Sequence, residues 1–214
     1  MGLSSDGSGA TLGSQRIDFV DFPILVRAHL DQCWSTVSCE AMGARLYSNL
    51  LEKSSSHDEV WDFIVAVCTW GGRTGNRVRG LVSRGYVAER TLNRFEASAL
   101  SLSRIDSSTP IHQLRAGLTK AAQAVDDISG LATSYATKMV RFLRPDVAAV
   151  LDNVISGVGG YPLDNYQYGI YSADCLAVAA DLSAAGIVNP RSENSTWRVG
   201  DVDQALFARC QGWR

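Results

Sequence analysis

The stretch that decides the fold is ISGLATSYATKMVRFLRPDVAAVLDNVI, which covers residues 128–155. Gly130 follows an apolar segment with helical spacing, as is typical of a residue that ends a helix. A second helical segment runs from Thr133 to Leu143 and must stop before Pro145, because proline cannot continue a helix. A short apolar run then leads to Asp152, near the start of a further helix. The stretch therefore predicts two helices joined by a tight turn.

The same helical spacing of apolar residues recurs along most of the chain. Alternation with a period of two is scarce, so the sequence predicts an all-α helical bundle over residues 17–214, with the hairpin at about 110–155. Residues 1–16 are rich in glycine and serine and have few apolar side chains. We therefore expect a flexible N-terminal segment there.

The composition is that of an ordinary globular domain. Of the 214 residues, 46% are hydrophobic and 20% are charged, which is enough for one core. The formal net charge is −2, so a polyanion-binding site must depend on local clustering of charge. No apolar run is long enough to span a bilayer, and residues 1–16 lack the apolar core of a signal peptide. We expect a cytoplasmic protein with no membrane partner.

The cysteines and histidines are too scattered in sequence for a metal centre. The five cysteines form no C-x-x-C pair, which disfavours a structural zinc or an iron–sulfur cluster and favours reduced thiols. The three histidines form no metal-ligand or catalytic-triad spacing. We therefore expect no metal ion and no cofactor in the chemistry.

The turn from Gly130 to Thr133 has the features of a phosphate-binding hairpin. Several backbone N–H groups at the start of the following helix lack partners within the helix, and the helix dipole favours an anion there. Gly130 and Ala132 are small enough for a phosphate to approach, and the hydroxyl groups of Thr133 and Ser134 are further donors. On the turn alone, an ordinary corner between two helices fits equally well.

Lys138 and Asp152 have side chains suited to chemistry at a sugar carbon. A lysine in a partly desolvated pocket binds its proton less tightly and can attack such a carbon. A nearby carboxylate can stabilise an oxocarbenium-like transition state or activate a water molecule. The alternative is structural: a solvated lysine on a helix surface and an aspartate that only caps the next helix.

The segment GLATSYA, residues 130–136, followed by Lys138 and Asp152, resembles the helix-hairpin-helix DNA glycosylases, and among them the branch similar to 8-oxoguanine DNA glycosylase. The run TKMVRFLRPD with the later Leu-Asp pair is similar to a bacterial subfamily with that fold, as is the segment from Trp197 to Phe207. The resemblance covers roughly residues 110–210. The four-cysteine iron–sulfur motif of the endonuclease III branch is absent from the sequence.

The resemblance implies a helix-hairpin-helix bundle that binds double-stranded DNA. It implies that Asp152 stabilises the sugar while the N-glycosidic bond breaks, that Lys138 can form a Schiff base, and that hairpin carbonyl groups can hold a monovalent cation.

Two departures from the family pattern matter. Ala132 stands where the family has its second hairpin glycine, and Ser134 stands where the bifunctional enzymes carry the nucleophilic lysine, four residues before Lys138. If Lys138 does not reach the site, the enzyme is monofunctional and depends on Asp152 and water. The hairpin residues expected to bind DNA are Gly130, Ala132, Thr133 and Ser134.

A glycine-rich loop at residues 70–80 begins the most basic part of the chain. From Arg73 to Arg94 there are six arginines and one acid. Base excision requires the target base to be flipped out of the duplex, and Arg73, Asn76 and Arg77 are suited to enter the groove and contact the base left behind. The alternative is a surface loop whose arginines meet solvent or acidic side chains.

A flipped base also needs aromatic rings to stack against. Trp70, Tyr171 and Trp197 are candidates for this base pocket. Aromatic residues at helical spacing more often belong to the core, so we expect one or two of them at most to face the base.

The resemblance, together with these candidate residues, implies a DNA glycosylase, with strand-cleaving AP lyase activity if Lys138 forms the Schiff base. Two substrate classes fit: an oxidised purine in housekeeping repair, or a bulky modified phage base such as glucosylated hydroxymethylcytosine in antiviral defence. The alternative from another class is a non-catalytic helical module that keeps the hairpin as a phosphate clamp. We expect a monomer.

Overall fold

Helices form most of the chain in the computed structural model, which describes residues 2–72, 80, 86–192 and 196–213. The predicted helical class is thereby confirmed. A short 3-10 helix, Phe19–Asp21, precedes the first α-helix. The α-helices of the described residues are α1 (Phe22–Gln32), α2 (Thr36–Glu52), α3 (His57–Trp70), α4 (Ala88–Leu102), α5 (Ile111–Asp126), α6 (Thr133–Leu143), α7 (Asn153–Gly159), α8 (Asn165–Ala184) and α9 (Val199–Cys210).

Three short strands precede the helices: β1 (Leu3–Ser5), β2 (Gly9–Leu12) and β3 (Gln15–Asp18). They pair antiparallel in the order β1-β2-β3, with Leu12 opposite both Leu3 and Gln15. The structure therefore differs from the expectation of a flexible segment over residues 1–16. It also makes the chain mostly, rather than entirely, helical.

Distant contacts order this small sheet. Leu12 and Ile17 are buried and belong to the main hydrophobic core. The backbone N–H of Leu3 donates to the hydroxyl of Tyr161 at 2.6 Å, and that hydroxyl donates to Asp174 on α8 at 2.7 Å. Because these partners are far away in sequence, local composition around residues 1–16 gave no sign of them.

Helix α6 is the central helix of the bundle. Every residue from Tyr135 to Leu143 is buried. Helix α2 approaches it closely at Gly43, where a Cβ atom would lie 2.0 Å from the carbonyl oxygen of Phe142. Helix α5 packs against both α6 and α8. The predicted pair of helices, α5 and α6, is thus built into the core, which fixes the position of the turn between them.

Local signals shape the turn before α6 and set the end of the helix. Gly130, in the turn between α5 and α6, has a φ of 100°, a left-handed conformation that residues with a side chain rarely adopt. The helix ends at Leu143, shortly before Pro145, as predicted. The residues from Val147 to Leu151 are buried and lead directly to Asp152, where α7 begins.

A buried network of charged residues joins α2, α6 and α9. Arg141 contacts Glu40 at 2.7 Å, and Arg191 contacts the same carboxylate at 2.8 Å. Arg198 lies 3.1 Å from Glu40 and 2.6 Å from Asp201. Burial by itself raises the pKa of Glu40, but the three arginines more than offset this and lower the pKa to about 2. The carboxylate is therefore ionised, and it holds three helical segments together.

Candidate active site

The N-terminal end of α6 borders a cavity and presents backbone groups that suit an anion. Ala132 has an extended conformation at the N-cap, and its carbonyl accepts hydrogen bonds from the N–H groups of Tyr135 and Ala136 at 2.8 and 3.1 Å. Its methyl group cannot cap the amides of the first turn. Those amides and the helix dipole make this end a favourable position for a phosphate.

Thr133 and Ser134, the first two residues of α6, use their hydroxyl groups differently. The hydroxyl of Thr133 donates to Asp126 Oδ2 at 3.0 Å, and Asn165 Nδ2 donates to the same oxygen at 2.9 Å. Thr133 therefore fastens the hairpin to the end of α5 and the start of α8, instead of offering its proton to a ligand. The hydroxyl oxygen of Ser134 accepts a hydrogen bond from Nζ of Lys138.

Lys138 reaches back one helical turn to Ser134. Its Nζ donates to Ser134 Oγ at 3.1 Å and to the Ser134 carbonyl oxygen at 3.3 Å. This reach is expected, because a residue four positions later lies on the same face of the helix and its side chain points toward the N-terminus. The amine therefore lies beside Ser134, although the two residues are one turn apart in sequence.

Asp152 uses its two carboxylate oxygens for different contacts. Oδ1 accepts hydrogen bonds from the N–H groups of Val154 and Ile155 at 3.0 and 3.2 Å and so caps α7. Oδ2 lies 3.5 Å from Nζ of Lys138. Only 9% of the Lys138 side chain and 14% of the Asp152 side chain are exposed. Capping and a function at the site are compatible, because they involve different oxygens.

Lys138 and Asp152 lie where two cavities meet. The outer cavity, of about 590 Å³, borders the start of α6 at Ala132 and Thr133 and the start of α7. The inner cavity, of about 260 Å³, has aromatic walls. Gly71, Lys138 and Asp152 line both cavities. A ligand that filled both cavities would have this amine and this carboxylate at its middle.

The aromatic walls of the inner cavity surround His29. Its ring centroid lies 6.3 Å from that of Trp70, 6.0 Å from that of Phe207 and 5.9 Å from that of Trp213. Burial and two nearby arginines lower the pKa of His29 to about 3, so the imidazole is neutral. Within the described part of the chain, its Nδ1 has no hydrogen-bond partner. Trp70, which the sequence predicted for the base pocket, lines this cavity.

Asp203 adds a second carboxyl group to the inner cavity. The side chain is buried, and the hydroxyl of Tyr171 donates to its Oδ1 at 2.9 Å. Burial raises the pKa of Asp203 to about 7, although Arg141 and the Tyr171 hydrogen bond both act to lower it. At neutral pH this carboxyl group is therefore protonated in a large fraction of molecules.

Two of the three aromatic residues predicted for the pocket lie elsewhere. Neither Tyr171 nor Trp197 is among the described residues that line the two cavities. Tyr171 is fully buried and contacts the site only through Asp203. Trp197 packs edge-to-face on Phe22, 5.9 Å between ring centroids, and its Nε1 donates to the carbonyl of Ile187 at 2.7 Å. Both are core residues.

The loop residues predicted to enter the DNA groove, Arg73, Asn76 and Arg77, lie outside the described residues. The residues just before them do border the site. Gly72 lines the inner cavity, and Gly71 lines both cavities.

The sequence predictions left out several residues that line the inner cavity, among them His29, Asp203, Phe207 and Trp213. Asp203 had one usable signal, because it lies on α9 among Val199, Val202 and Leu206, where an acid interrupts an apolar face. A buried acid is usually paired or functional. The other three gave no such signal, because only the packing of α1 against α9 and the residues after it brings their rings together.

No family model matches the sequence, and no curated protein and no solved structure matches it either. Among the helices described, none has the length and apolar character needed to cross a membrane. The described residues also contain no group of three or more His, Cys, Asp or Glu placed to hold a metal ion. A functional hypothesis therefore depends on the geometry of the two cavities.

Proposed function

We propose that this protein is a DNA glycosylase that flips a modified base out of duplex DNA and cleaves its N-glycosidic bond. The observation that carries the proposal is the position of Lys138 and Asp152 between a cavity at a helix N-terminus and a cavity with aromatic walls. A flipped nucleotide has three parts in the same order: a phosphate, a reactive sugar carbon and a flat base.

The outer cavity suits the DNA backbone. Backbone amides at the start of α6 are good ligands for a phosphate, and Lys138 adds positive charge. Because the net charge of the chain is −2, such a local site is needed to attract DNA. Hairpin carbonyl groups are also the kind of ligand that binds a monovalent cation. The carbonyl oxygen of Ile128 in the hairpin accepts a hydrogen bond from the N–H of Leu131 at 3.0 Å. We assign no step of the reaction to a monovalent cation.

The inner cavity suits a single heterocyclic base. Aromatic rings such as those of Trp70 and Phe207 are stacking partners for a flipped base. The volume of about 260 Å³ is just below the range of roughly 300–1,000 Å³ for pockets that hold drug-sized ligands. This size favours an oxidised purine. A glucosylated hydroxymethylcytosine would have to extend its sugar into the outer cavity.

Asp152 and Lys138 would act at the sugar. Departure of the base develops positive charge around C1′, and the carboxylate of Asp152 stabilises that charge. The ammonium group of Lys138, held beside Ser134, first loses a proton to solvent, and the neutral amine then attacks C1′ while the base leaves with the electron pair of the N-glycosidic bond. The attached nitrogen then loses a proton, and the C1′–O4′ bond breaks while O4′ takes up a proton. The product is a Schiff base, from which β-elimination cleaves the strand.

Mass spectrometry of released bases tests the proposal. The protein and its Asp152→Asn variant are incubated with duplexes that carry oxidised purines or phage-modified pyrimidines, at matched DNA occupancy. We expect one class of free base from the wild type and none above background from the variant. If the wild type bound DNA but released no base, that result would contradict the proposed glycosylase activity. It would favour a non-catalytic DNA-binding module that clamps phosphate.

A further inference from the structure

The inner cavity holds a carboxyl group that the chemistry at the sugar does not use. Asp203 lines this cavity together with Lys138 and Asp152. Phe207 follows Asp203 by one turn on the same face of α9 and contributes to the aromatic wall. A base stacked against that wall therefore has Asp203 near its edge.

The groups around Asp203 come from every element packed against it. Tyr171 on α8 donates to Oδ1 at 2.9 Å, and the backbone of Val150 provides a further hydrogen bond. Arg141 on α6 favours the charged carboxylate, whereas Asp152 disfavours it. Further neighbours with titratable side chains are Lys138, His29 (neutral at neutral pH), Tyr168, Cys33, Cys175 and Cys210. Burial raises the pKa of Tyr168 and of the three thiols.

The two carboxyl groups of the site therefore have contrasting surroundings. Asp152 faces the ammonium group of Lys138 at 3.5 Å. Asp203 faces a phenol and is enclosed by buried side chains, and burial raises its pKa to about 7. Two acids in such different environments are suited to opposite tasks, one as a charged stabiliser and the other as a proton donor.

We propose that Asp203 is the general acid of the reaction, which hydrogen-bonds to a ring nitrogen or carbonyl oxygen of the flipped base and gives its proton to that atom as the base departs. This inference rests on the proposed glycosylase function. It adds activation of the leaving group to the stabilisation of the sugar by Asp152.

The step balances without an oxidant or a reductant. The C1′–N bond breaks, its electron pair stays with the base, and the proton of the Asp203 carboxyl group moves to the base. The amine of Lys138, or a water molecule, forms the new bond to C1′ and loses a proton to solvent. The Asp203 carboxylate then takes up a proton from solvent before the next turnover.

Asp203→Asn is the direct test, measured as single-turnover base release over a series of pH values. Asparagine keeps the shape and the acceptor for Tyr171 but has no proton to give. We expect release to slow by about 10²-fold. Because the active form is protonated, wild-type release should fall about tenfold per pH unit above about pH 7, and the variant should lack this fall. Asp174→Asn, a half-buried acid of α8 that bonds Tyr161, is the matched control and should keep the wild-type profile.

Tyr171→Phe provides a second measurement. The pH profile of base release would not shift in this variant if Asp203 had only a structural role. The hydrogen bond from Tyr171 lowers the pKa of Asp203, so its removal should shift the fall in rate to higher pH. An infrared band of a protonated carboxyl group near neutral pH, absent in Asp203→Asn, would report the same proton directly.

The outcomes separate the two proposals. Base release by the wild type with an unchanged rate and pH profile in Asp203→Asn would overturn the general acid and leave the glycosylase standing. No base release by the wild type overturns both. If Asp203→Asn does not fold, an unshifted profile in Tyr171→Phe overturns the general acid.

Discussion

Lys138 and Arg141 lie one turn apart on the same helix, yet their carboxylate partners put them in different settings. Arg141 is 1% exposed and contacts Glu40 at 2.7 Å inside a network with two more arginines. Lys138 is 9% exposed and lies 3.5 Å from Asp152 where two cavities meet. The tight pair is surrounded by protein, and the looser pair faces space for a ligand.

The comparison separates two tasks of charged residues in one helix. A buried ion pair is costly to break, because the remaining charge has no water to replace its partner. The network around Glu40 should therefore affect stability far more than chemistry. The pair of Lys138 and Asp152 should do the reverse and affect chemistry far more than stability.

Glu40→Gln should have the largest effect on stability. It leaves Arg141, Arg191 and Arg198 around a neutral side chain, so we expect a loss of about 3–5 kcal/mol in the free energy of unfolding, measured with urea. Glu59→Gln, whose partner Arg45 is largely exposed, is the control and should cost about 1 kcal/mol or less. Equal losses in the two variants would contradict the special role of the buried network.

Asp152→Asn should show the opposite pattern. We expect base release to slow by about 10²–10³-fold, because the charge beside the sugar is lost. The free energy of unfolding should change by less than about 1 kcal/mol, because asparagine caps a helix about as well as aspartate. A variant that unfolds readily but releases base at the wild-type rate would reverse the assignment of the two pairs.

Acid should weaken the Glu40 network in a defined pH range. The pKa of Glu40 is lowered from 4.5 to about 2 in the folded state, so its contribution is fully present above pH 4.5 and is lost as the pH falls toward 2. The shift corresponds to about 3 kcal/mol. The free energy of unfolding, measured through this range, should show the loss in the wild type. In Glu40→Gln the free energy of unfolding should change less with pH over the same range.

Lys138→Gln should separate the covalent step from base release. With borohydride present, the wild type should form a reduced covalent adduct with a substrate duplex, and the variant should form none. Base release should slow less than in Asp152→Asn, since Asp152 and water remain. Absence of the adduct in the wild type would exclude the Schiff base and leave a monofunctional glycosylase.

Thr133→Val should have the smallest effect. It removes the hydrogen bond to Asp126 that fastens the hairpin, which should cost about 1 kcal/mol of stability. DNA affinity should fall several-fold in a titration at constant salt, because the amides at the start of α6 are held less firmly. Thr109→Val, in an exposed turn before α5, is the control and should leave DNA affinity unchanged.

The parts of the site that depend on local chemistry could be predicted from the sequence. Gly130 forms the turn before α6, Pro145 ends α6 and Asp152 caps α7, through backbone angles and capping that act over a few residues. The spacing of Ser134 and Lys138 likewise follows from the helical repeat. The sequence could not tell whether the amine reached back to Ser134, because the rotamer depends on the packing around Tyr135 and Asp152.

Other predictions failed where distant contacts decide the outcome. Residues 3–18 form a sheet because Leu3 bonds Tyr161, which is 158 residues away. Tyr171 and Trp197 have the same apolar character as Trp70, and only their place in the packed bundle makes them core residues instead of cavity walls.

The sequence by itself determined the helical hairpin, its turn and the position of Asp152, because these follow from interactions between near neighbours in the chain. Tertiary structure alone decided which side chains share a cavity. The ring of His29 on α1 packs against that of Trp213 beyond α9, and the largely buried Asp203 lines the same cavity. Burial gives that carboxyl group its raised pKa, and burial depends on how the whole chain packs.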